Sequence, residues 1–154
     1  MWDFIKYHGL GNDFILLTGG LEGRPEPDSA AVRALCNRRR GIGADGLILA
    51  RPATNADLTM QLINSDGTVP EMCGNGLRCL VKHAVDVLGM AMNPMRVATG
   101  AGVLSCRWRR GAQGVVEQVE VAMGTPTFER SEIPMTGSGA SIELSITEGD
   151  RTFV

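Results

Sequence analysis

Hydrophobic residues along the 154-residue chain follow two spacings, one typical of strands and one typical of helices. Short or alternating apolar runs predict strands, and the first two lie within 4–19 around a Gly-Leu-Gly-Asn turn. Further predicted elements are strands at 47–53, 58–65, 95–100, 102–110 and 116–124, a hairpin at 141–154, and a glycine-rich loop at 19–27. Apolar residues three and four positions apart predict helices at 27–39 and 73–88. Strands dominate, so the pattern predicts an α+β fold.

The predicted helix at 73–88 carries the clearest apolar stripe. Its members are Leu77, Leu80, Val81, Ala84, Val85 and Leu88. Gly89 follows as the expected C-cap, since glycine readily reverses the chain at a helix end. His83 is expected on the polar side of this helix beside Asp86, as a surface histidine or one with its hydrogen bonds satisfied.

The shorter predicted helix, at 27–39, is expected to begin at an N-cap formed by Asp28 or Ser29. Cys36 falls on its apolar stripe, and Cys106 alternates onto the apolar face of a predicted strand. Both cysteines are therefore expected to be packed core thiols.

Composition excludes several classes of protein. Hydrophobic residues make up 44% of the chain, mean hydropathy is +0.02, and no apolar run approaches the roughly 20 residues of a membrane span. A net charge of −2 gives no bulk attraction for nucleic acid. The basic clusters at 37–40 and 107–110 are expected to be solvated or to contact anions. The N-terminus lacks an apolar signal core and the four cysteines are widely spaced, so we expect free thiols and a cytoplasmic location.

The segment "MCGNGLR" at 72–78 combines a thiol with two glycines at the predicted start of a helix. Helix N-termini present bare N–H groups and partial positive charge, which favour a bound anion and the thiolate form of a cysteine. Gly74 and Gly76 would let a ligand approach the backbone, and Asn75 adds a side-chain amide. The alternative is that Cys73 is a core thiol at the start of the apolar stripe.

Other motifs give weaker signals. His8 lies next to a turn without a partner motif, which favours a structural or supporting role. Two histidines without ligand spacing predict no metal site. The turn at 9–12 does not match the dinucleotide fingerprint, and the phosphate-binding loop motif is missing from the sequence. We therefore expect no cofactor of these kinds.

Five motifs together resemble the diaminopimelate epimerases. In chain order they are HGLGNDF (8–14), GIGADGL (41–47), NSDGT (64–68), CGNGLRC (73–79) and MGTP (123–126). The combined pattern N-x-D-G-[ST]-x4-C-G-N-G-x-R is specific and matches at every defining position, with Thr68 where serine is more usual. The resemblance covers most of residues 2 to 126.

The resemblance implies a lobe in which a β-barrel-like mixed sheet wraps around a central α-helix, and an amino-acid epimerase that works without PLP or another cofactor. Two opposed cysteines would transfer protons on the two faces of Cα, in the pathway to lysine and peptidoglycan precursors. By resemblance, Cys73 is one of these acid/base residues. Asn12 and Asn64 would bind substrate, and Gly74 and Asn75 would supply amides for the substrate carboxylate.

The family is longer than this chain and brings its second cysteine from a second lobe. Residues 1–126 are accordingly expected to form the N-terminal lobe, and 127–154 the start of a linker and second lobe. The partner would be the C-terminal lobe or a second copy of the chain in a homodimer, and the chain alone is expected to be inactive. Alternatives are a racemase or isomerase of another amino acid, and a non-catalytic ligand-binding or dimerisation lobe.

Overall fold

A computed structural model describes residues 2–19 and 25–153. The chain divides into two compact units, Met1–Met123 and Gly124–Val154. Part of the glycine-rich loop predicted at 19–27 lies outside the described residues, so that prediction stays open.

The described residues of the first unit form one seven-stranded sheet and two helices. The strands are β1 (Asp3–Gly9), β2 (Asn12–Gly19), β3 (Gly46–Arg51), β4 (Leu58–Asn64), β5 (Met95–Thr99), β6 (Gly102–Arg110) and β7 (Val116–Val121). The helices are α1 (Ser29–Cys36) and α2 (Gly74–Asp86). The strands are neighbours in chain order from β1 to β7, with β2–β3 and β4–β5 parallel and the other pairs antiparallel. This mixed sheet confirms the predicted strands and the α+β class.

The sheet curls around α2, which contacts both edge strands, β1 and β7, as well as β2, β3, β4 and β6. The concave face and α2 enclose a core that includes Phe14, Leu16, Ile48, Leu77 and Leu80. The opposite sheet face packs against α1 through a second core that includes Ile15, Leu17, Leu47, Val32 and Cys36. Strands β2 and β3 are therefore buried on both faces, which explains their continuous apolar sequence.

The curled sheet also explains why His83 was misplaced by the sequence pattern. The residue is fully buried rather than on a polar surface of α2. Its Nδ1 lies 3.2 Å from the Tyr7 hydroxyl, and its Nε2 has no hydrogen-bond partner among the described residues. Because strands cover α2 on several sides, its buried face is wider than the apolar stripe alone indicates.

The helix termini agree with the sequence at α1 and differ at α2. Asp28 is the N-cap of α1, and its carboxylate accepts a hydrogen bond from the Ala31 amide at 2.7 Å. Helix α2 ends at Asp86 with Val87 as C-cap, so the predicted end at 88 and the predicted Gly89 cap were wrong. Gly89 still has a positive φ of 68°, which turns the chain just beyond the helix.

The second unit holds a short hairpin, β8 (Ile146–Glu148) and β9 (Arg151–Phe153), as the sequence predicted. It also contains a single 3-10 turn at Arg130–Glu132 and an isolated bridge between Glu129 and Ala140. Across the described parts of both units, no helix is long and apolar enough to cross a membrane.

Candidate active site

The predicted site residues lie at one end of the central strands, where β2 and β3 begin and β4 ends. The Asp45 amide donates to the Asp13 carbonyl at 2.9 Å, and the Ser65 amide donates to the Asp45 carbonyl at 2.9 Å. These backbone bonds tie the three strand ends together, so polar residues from separate motifs become neighbours.

Cys73 is the N-cap of α2, so its thiol lies at the start of the helix. Its backbone is extended, with φ −145° and ψ 114°, and its side chain makes no capping hydrogen bond. The first helical N–H groups, from Gly74 onward, have no acceptor within the helix. A partly exposed thiol therefore lies beside unpaired donors and the positive end of a helix dipole.

The two glycines of this motif serve different purposes. A Cβ at Gly76 would lie 3.0 Å from Ile48 Cδ1 and 3.6 Å from Phe14 Cζ, so this glycine lets α2 pack closely on the sheet. A Cβ at Gly74 would meet only Met123, at an ordinary 3.6 Å. Ligand access was predicted for both glycines, but Gly76 packs against the sheet, and access at Gly74 stays a prediction.

Asn12, Cys73 and Asn75 meet around a single oxygen. The Oδ1 atom of Asn12 lies 3.8 Å from the Cys73 Sγ and 3.2 Å from the Asn75 Nδ2. The β1–β2 hairpin comes close enough for this contact because Gly9 passes the Asn75 backbone, where a Cβ would lie 3.2 Å from the carbonyl oxygen. The structure thus brings together three of the five predicted site residues through direct side-chain contact.

Asn12 is hydrogen-bonded to a cluster of ion pairs. Asp45 accepts from the Asn12 Nδ2 at 2.9 Å and from the Asp13 amide at 3.0 Å. Arg38 bridges the two carboxylates, at 2.6 Å from Asp13 and 2.7 Å from Asp45, and Lys6 pairs with Asp13 at 2.6 Å. The hydrogen bond from Asn12 lowers the pKa of Asp45, and the hydrogen bond from Arg38 lowers the pKa of Asp13. Both side chains are therefore carboxylates at neutral pH.

Asn64 belongs to the adjacent turn. Its Nδ2 donates to the Thr68 hydroxyl at 3.0 Å, and that hydroxyl lies 2.6 Å from the Asp66 carboxylate. The turn is also fixed to α1, since Ser29 donates to the Gly67 carbonyl at 3.0 Å. Asn64 thus lies at the same end of the strands as Asn12. In the described structure its side chain makes no hydrogen bond with Asn12, Cys73 or Asn75.

The other three cysteines are core residues, as the sequence predicted for Cys36 and Cys106. All four cysteines lie in the described residues and all are free thiols. Burial raises the pKa of Cys79 and of Cys106 to about 11, and burial also raises the pKa of Cys36. A buried thiol that resists ionisation is unsuited to proton transfer at neutral pH.

A cavity of about 200 Å³ opens where the edge strands β1 and β7 approach α2. Its lining includes Tyr7, Arg78, Cys79, Lys82 and Val119, but not Cys73. Cys73 is partly exposed, and its side chain also packs against the core around α2. No group of three or more potential metal-binding side chains gathers in residues 2–19 and 25–153.

Asp13, Asp45 and Arg78 lie within the motifs of the sequence but had no predicted role. Arg38 was expected to be solvated or to contact an anion, and its partners are two carboxylates of the same chain. The available signal was that carboxylates sit beside Asn12 and within a glycine-rich turn. Only the fold shows that these two turns touch.

Comparisons with known proteins agree with this architecture. The diaminopimelate epimerase family matches residues 4–129. A diaminopimelate epimerase of Desulforudis audaxviator is 42% identical over 153 residues, covering 99% of this chain and 54% of that protein. One of Methanothrix thermoacetophila is 45% identical over 147 residues, covering 94% and 51%. The chain thus spans about half the length of the curated relatives it matches.

Solved structures show a similar fold at low sequence identity. A hydroxyproline epimerase from Agrobacterium vitis has a TM-score of 0.60 and 17% identity, covering 77% of this chain and 40% of that chain. A phenazine biosynthesis protein of the PhzF family from Bacillus anthracis has a TM-score of 0.54 and 13% identity, covering 75% and 37%. These likenesses concern the fold alone. With the family match over most of its length, the chain belongs to the diaminopimelate epimerase family.

Proposed function

We propose that this chain supplies one half of the active site of a PLP-independent amino-acid epimerase that interconverts LL- and meso-diaminopimelate. The observation that carries the proposal is the placement of Cys73. It is the only one of the four cysteines that is not buried, and it lies at a helix N-terminus beside two asparagine amides. Membership of the family supports the reaction and the substrate.

In the proposed reaction, Cys73 exchanges a proton with the substrate Cα. As a base, its thiolate takes the proton, so that an S–H bond forms, the C–H bond breaks and the electron pair stays on carbon. As an acid, its thiol gives up the proton, and sulfur keeps the electron pair. A second acid/base on the opposite face completes the inversion, because retention results if the same group returns the proton.

The carbanion needs stabilisation, since no cofactor is proposed to accept its electrons. The unpaired N–H groups at the start of α2 are suited to hold the substrate carboxylate, toward which negative charge moves as Cα loses its proton. Gly74 leaves the backbone open there, and Asn75 adds its amide. Asn12 and Asn64 are proposed to bind the substrate amino acid from the neighbouring strand ends.

We propose that the second acid/base comes from a C-terminal lobe, with residues 127–154 as the start of the connection, or from a second copy of this chain in a homodimer. The span of this chain, about half that of its relatives, supports this arrangement. The chain alone is accordingly proposed to be inactive. Four free thiols support a cytoplasmic location, and the family name supports a place in lysine biosynthesis.

The test uses a chimera in which this chain replaces the matching segment of the Desulforudis audaxviator relative. Incorporation of solvent deuterium at Cα of LL-diaminopimelate is measured by NMR, beside a panel of other amino acids. We expect exchange with diaminopimelate, and in Cys73→Ser a loss of about 10²- to 10⁴-fold in the conversion of the LL to the meso isomer, the usual contribution of general acid–base catalysis. Unchanged conversion in Cys73→Ser would refute the proposed role, and preference for another amino acid would refute the substrate.

A further inference from the structure

The orientation of the Asn12 amide is determined by its partners. A carboxylate can only accept hydrogen bonds, so the Asn12 atom that faces Asp45 at 2.9 Å is the Nδ2 donor. The depressed pKa of Asp45 supports its ionised form. The oxygen of the same amide is consequently the atom that faces the Cys73 Sγ.

The orientation of the Asn75 amide is determined independently, from the other end. Arg78 has donors only, and its guanidinium contacts Asn75 Oδ1. The Nδ2 of Asn75 is therefore the atom that points to Asn12, at 3.2 Å from its Oδ1. Both ends give the same direction, from the Arg78 cation through Asn75 and Asn12 to the Asp45 anion.

We propose that Asp45 and Arg78 are positioning residues, which fix the Asn12 carbonyl toward Cys73 so that this oxygen accepts from the thiol. An acceptor oxygen stabilises S–H as a donor and repels a thiolate at the same place. If the amide were reversed, its N–H would face sulfur and favour the thiolate instead. The start of α2 favours the thiolate in the parent chain and in variants at Asp45 alike, so the contribution of the Asn12 oxygen is the difference between them. These positioning roles rest on the proposed function.

Other charged or titratable groups around the thiol must be separated from this effect. On the strand side they are Asp13, Arg38 and Asp45, and on α2 they are Arg78 and Cys79. Asp13 belongs to the same ion-pair cluster as Asp45 but makes no side-chain bond to Asn12 in the described structure. Asp13→Ala is thus a matched control for Asp45→Ala, because it removes the same charge and leaves the acceptor for Asn12 in place.

The experiment measures alkylation of Cys73 by iodoacetamide in the 154-residue chain, followed by mass spectrometry. The rate at pH 7 is divided by the rate at pH 9.5, so that differences in access cancel. In Asp45→Ala, which removes the acceptor for Asn12, we expect this ratio to rise about two- to fivefold, the worth of one partly exposed hydrogen bond. In Asp13→Ala we expect a change below about 1.5-fold, since the charge of Asp13 is screened by solvent. An equal effect in both variants, or no rise in Asp45→Ala, overturns the proposal.

A second reading does not depend on whether Asp45→Ala folds. The infrared S–H stretching band of Cys73 is isolated by subtracting the spectrum of Cys73→Ser from that of the parent chain. We expect it at lower frequency than the band of an alkanethiol in a solvent without acceptors, because an S–H bond that donates is weakened. A band at the frequency of the unbonded thiol contradicts the proposal. Neither measurement requires turnover, so failure here and failure of the proposed epimerase activity are distinguishable.

Discussion

Cys73 and Cys79 belong to the same stretch of chain, six residues apart, and have opposite environments. Cys73 is the partly exposed N-cap of α2, beside the amide oxygen of Asn12. Cys79 lies within the helix, 4% exposed, and burial raises its pKa to about 11. The difference shows that position at the helix terminus, rather than residue type, makes a thiol suitable for chemistry here.

The same contrast holds for the helix as a whole. The start of α2 meets the polar side chain of Asn12, the first residue of β2, while its later turns are enclosed by the curled sheet. One helix therefore serves as the central core element and also presents an open N-terminus. The predictions below test this division of α2.

The largest expected effect concerns thiol reactivity. In the folded chain, iodoacetamide should modify Cys73 at least about 100-fold faster than Cys36, Cys79 or Cys106, because these three are buried. Peptide mapping by mass spectrometry gives each rate separately. In denaturant the four rates should converge, and comparable rates in the folded chain would remove the distinction between the two ends of α2.

The next effect compares the two glycines of the site. Gly76→Ala should lower the free energy of unfolding by about 1–2 kcal/mol, since overpacking against buried Ile48 and Phe14 outweighs the gain in helix propensity. Gly74→Ala is the matched control, with room for its methyl group, and should be neutral or stabilise by up to about 1 kcal/mol. Urea unfolding measures both, and equal effects would show that the two positions are not distinct.

The smallest effect concerns His83, the buried titratable group in the later turns. Burial lowers its pKa from 6.5, so protonation favours the unfolded chain. This stability is fully present above pH 6.5 and is lost as the pH falls through the lower folded value. Between pH 8 and pH 5.5, a window above the titration of Asp13 and Asp45, the loss should be at most about 1.4 kcal/mol, the worth of one pH unit below 6.5.

His83→Gln is the control for that pH dependence, because glutamine keeps hydrogen-bonding capacity toward Tyr7 and does not titrate in this range. The free energy of unfolding from urea titrations should vary less between the two pH values in this variant. A parent chain that is more stable at pH 5.5 than at pH 8 would contradict a lowered pKa of His83 in the folded chain.

Much of the fold followed from the sequence because its elements have strong local signals. The alternation in β5 to β7, the N-cap at Asp28 and the apolar stripe of α2 predicted those elements correctly. His83 was misplaced because burial on several sides of α2 depends on how the sheet curls. That curvature is a tertiary property which helical periodicity does not contain.

For the site, the motifs identified Cys73, Asn12 and Asn75, and the structure brings their side chains together. The supporting role of Asp45 was not predictable, because the contact joins turns 33 positions apart. The catalytic role of Cys73 and the binding roles of Asn12, Asn75, Asn64 and Gly74 all stay predictions, and the last two residues make no contact with Cys73 that supports theirs. Asn64 lies at the end of β4 and Gly74 at the start of α2, positions that fit a binding role.

The central claim is that Cys73 is one of two opposed acid/base groups. It is tested most directly in the chimera by following LL- and meso-diaminopimelate separately in deuterated water after Cys73→Ala. We expect the inversion of Cα to be lost, with deuterium still entering one of the two epimers with retention, because the remaining group can remove and return a proton on its own face. Inversion of either epimer at a rate near that of the parent chimera would contradict the claim.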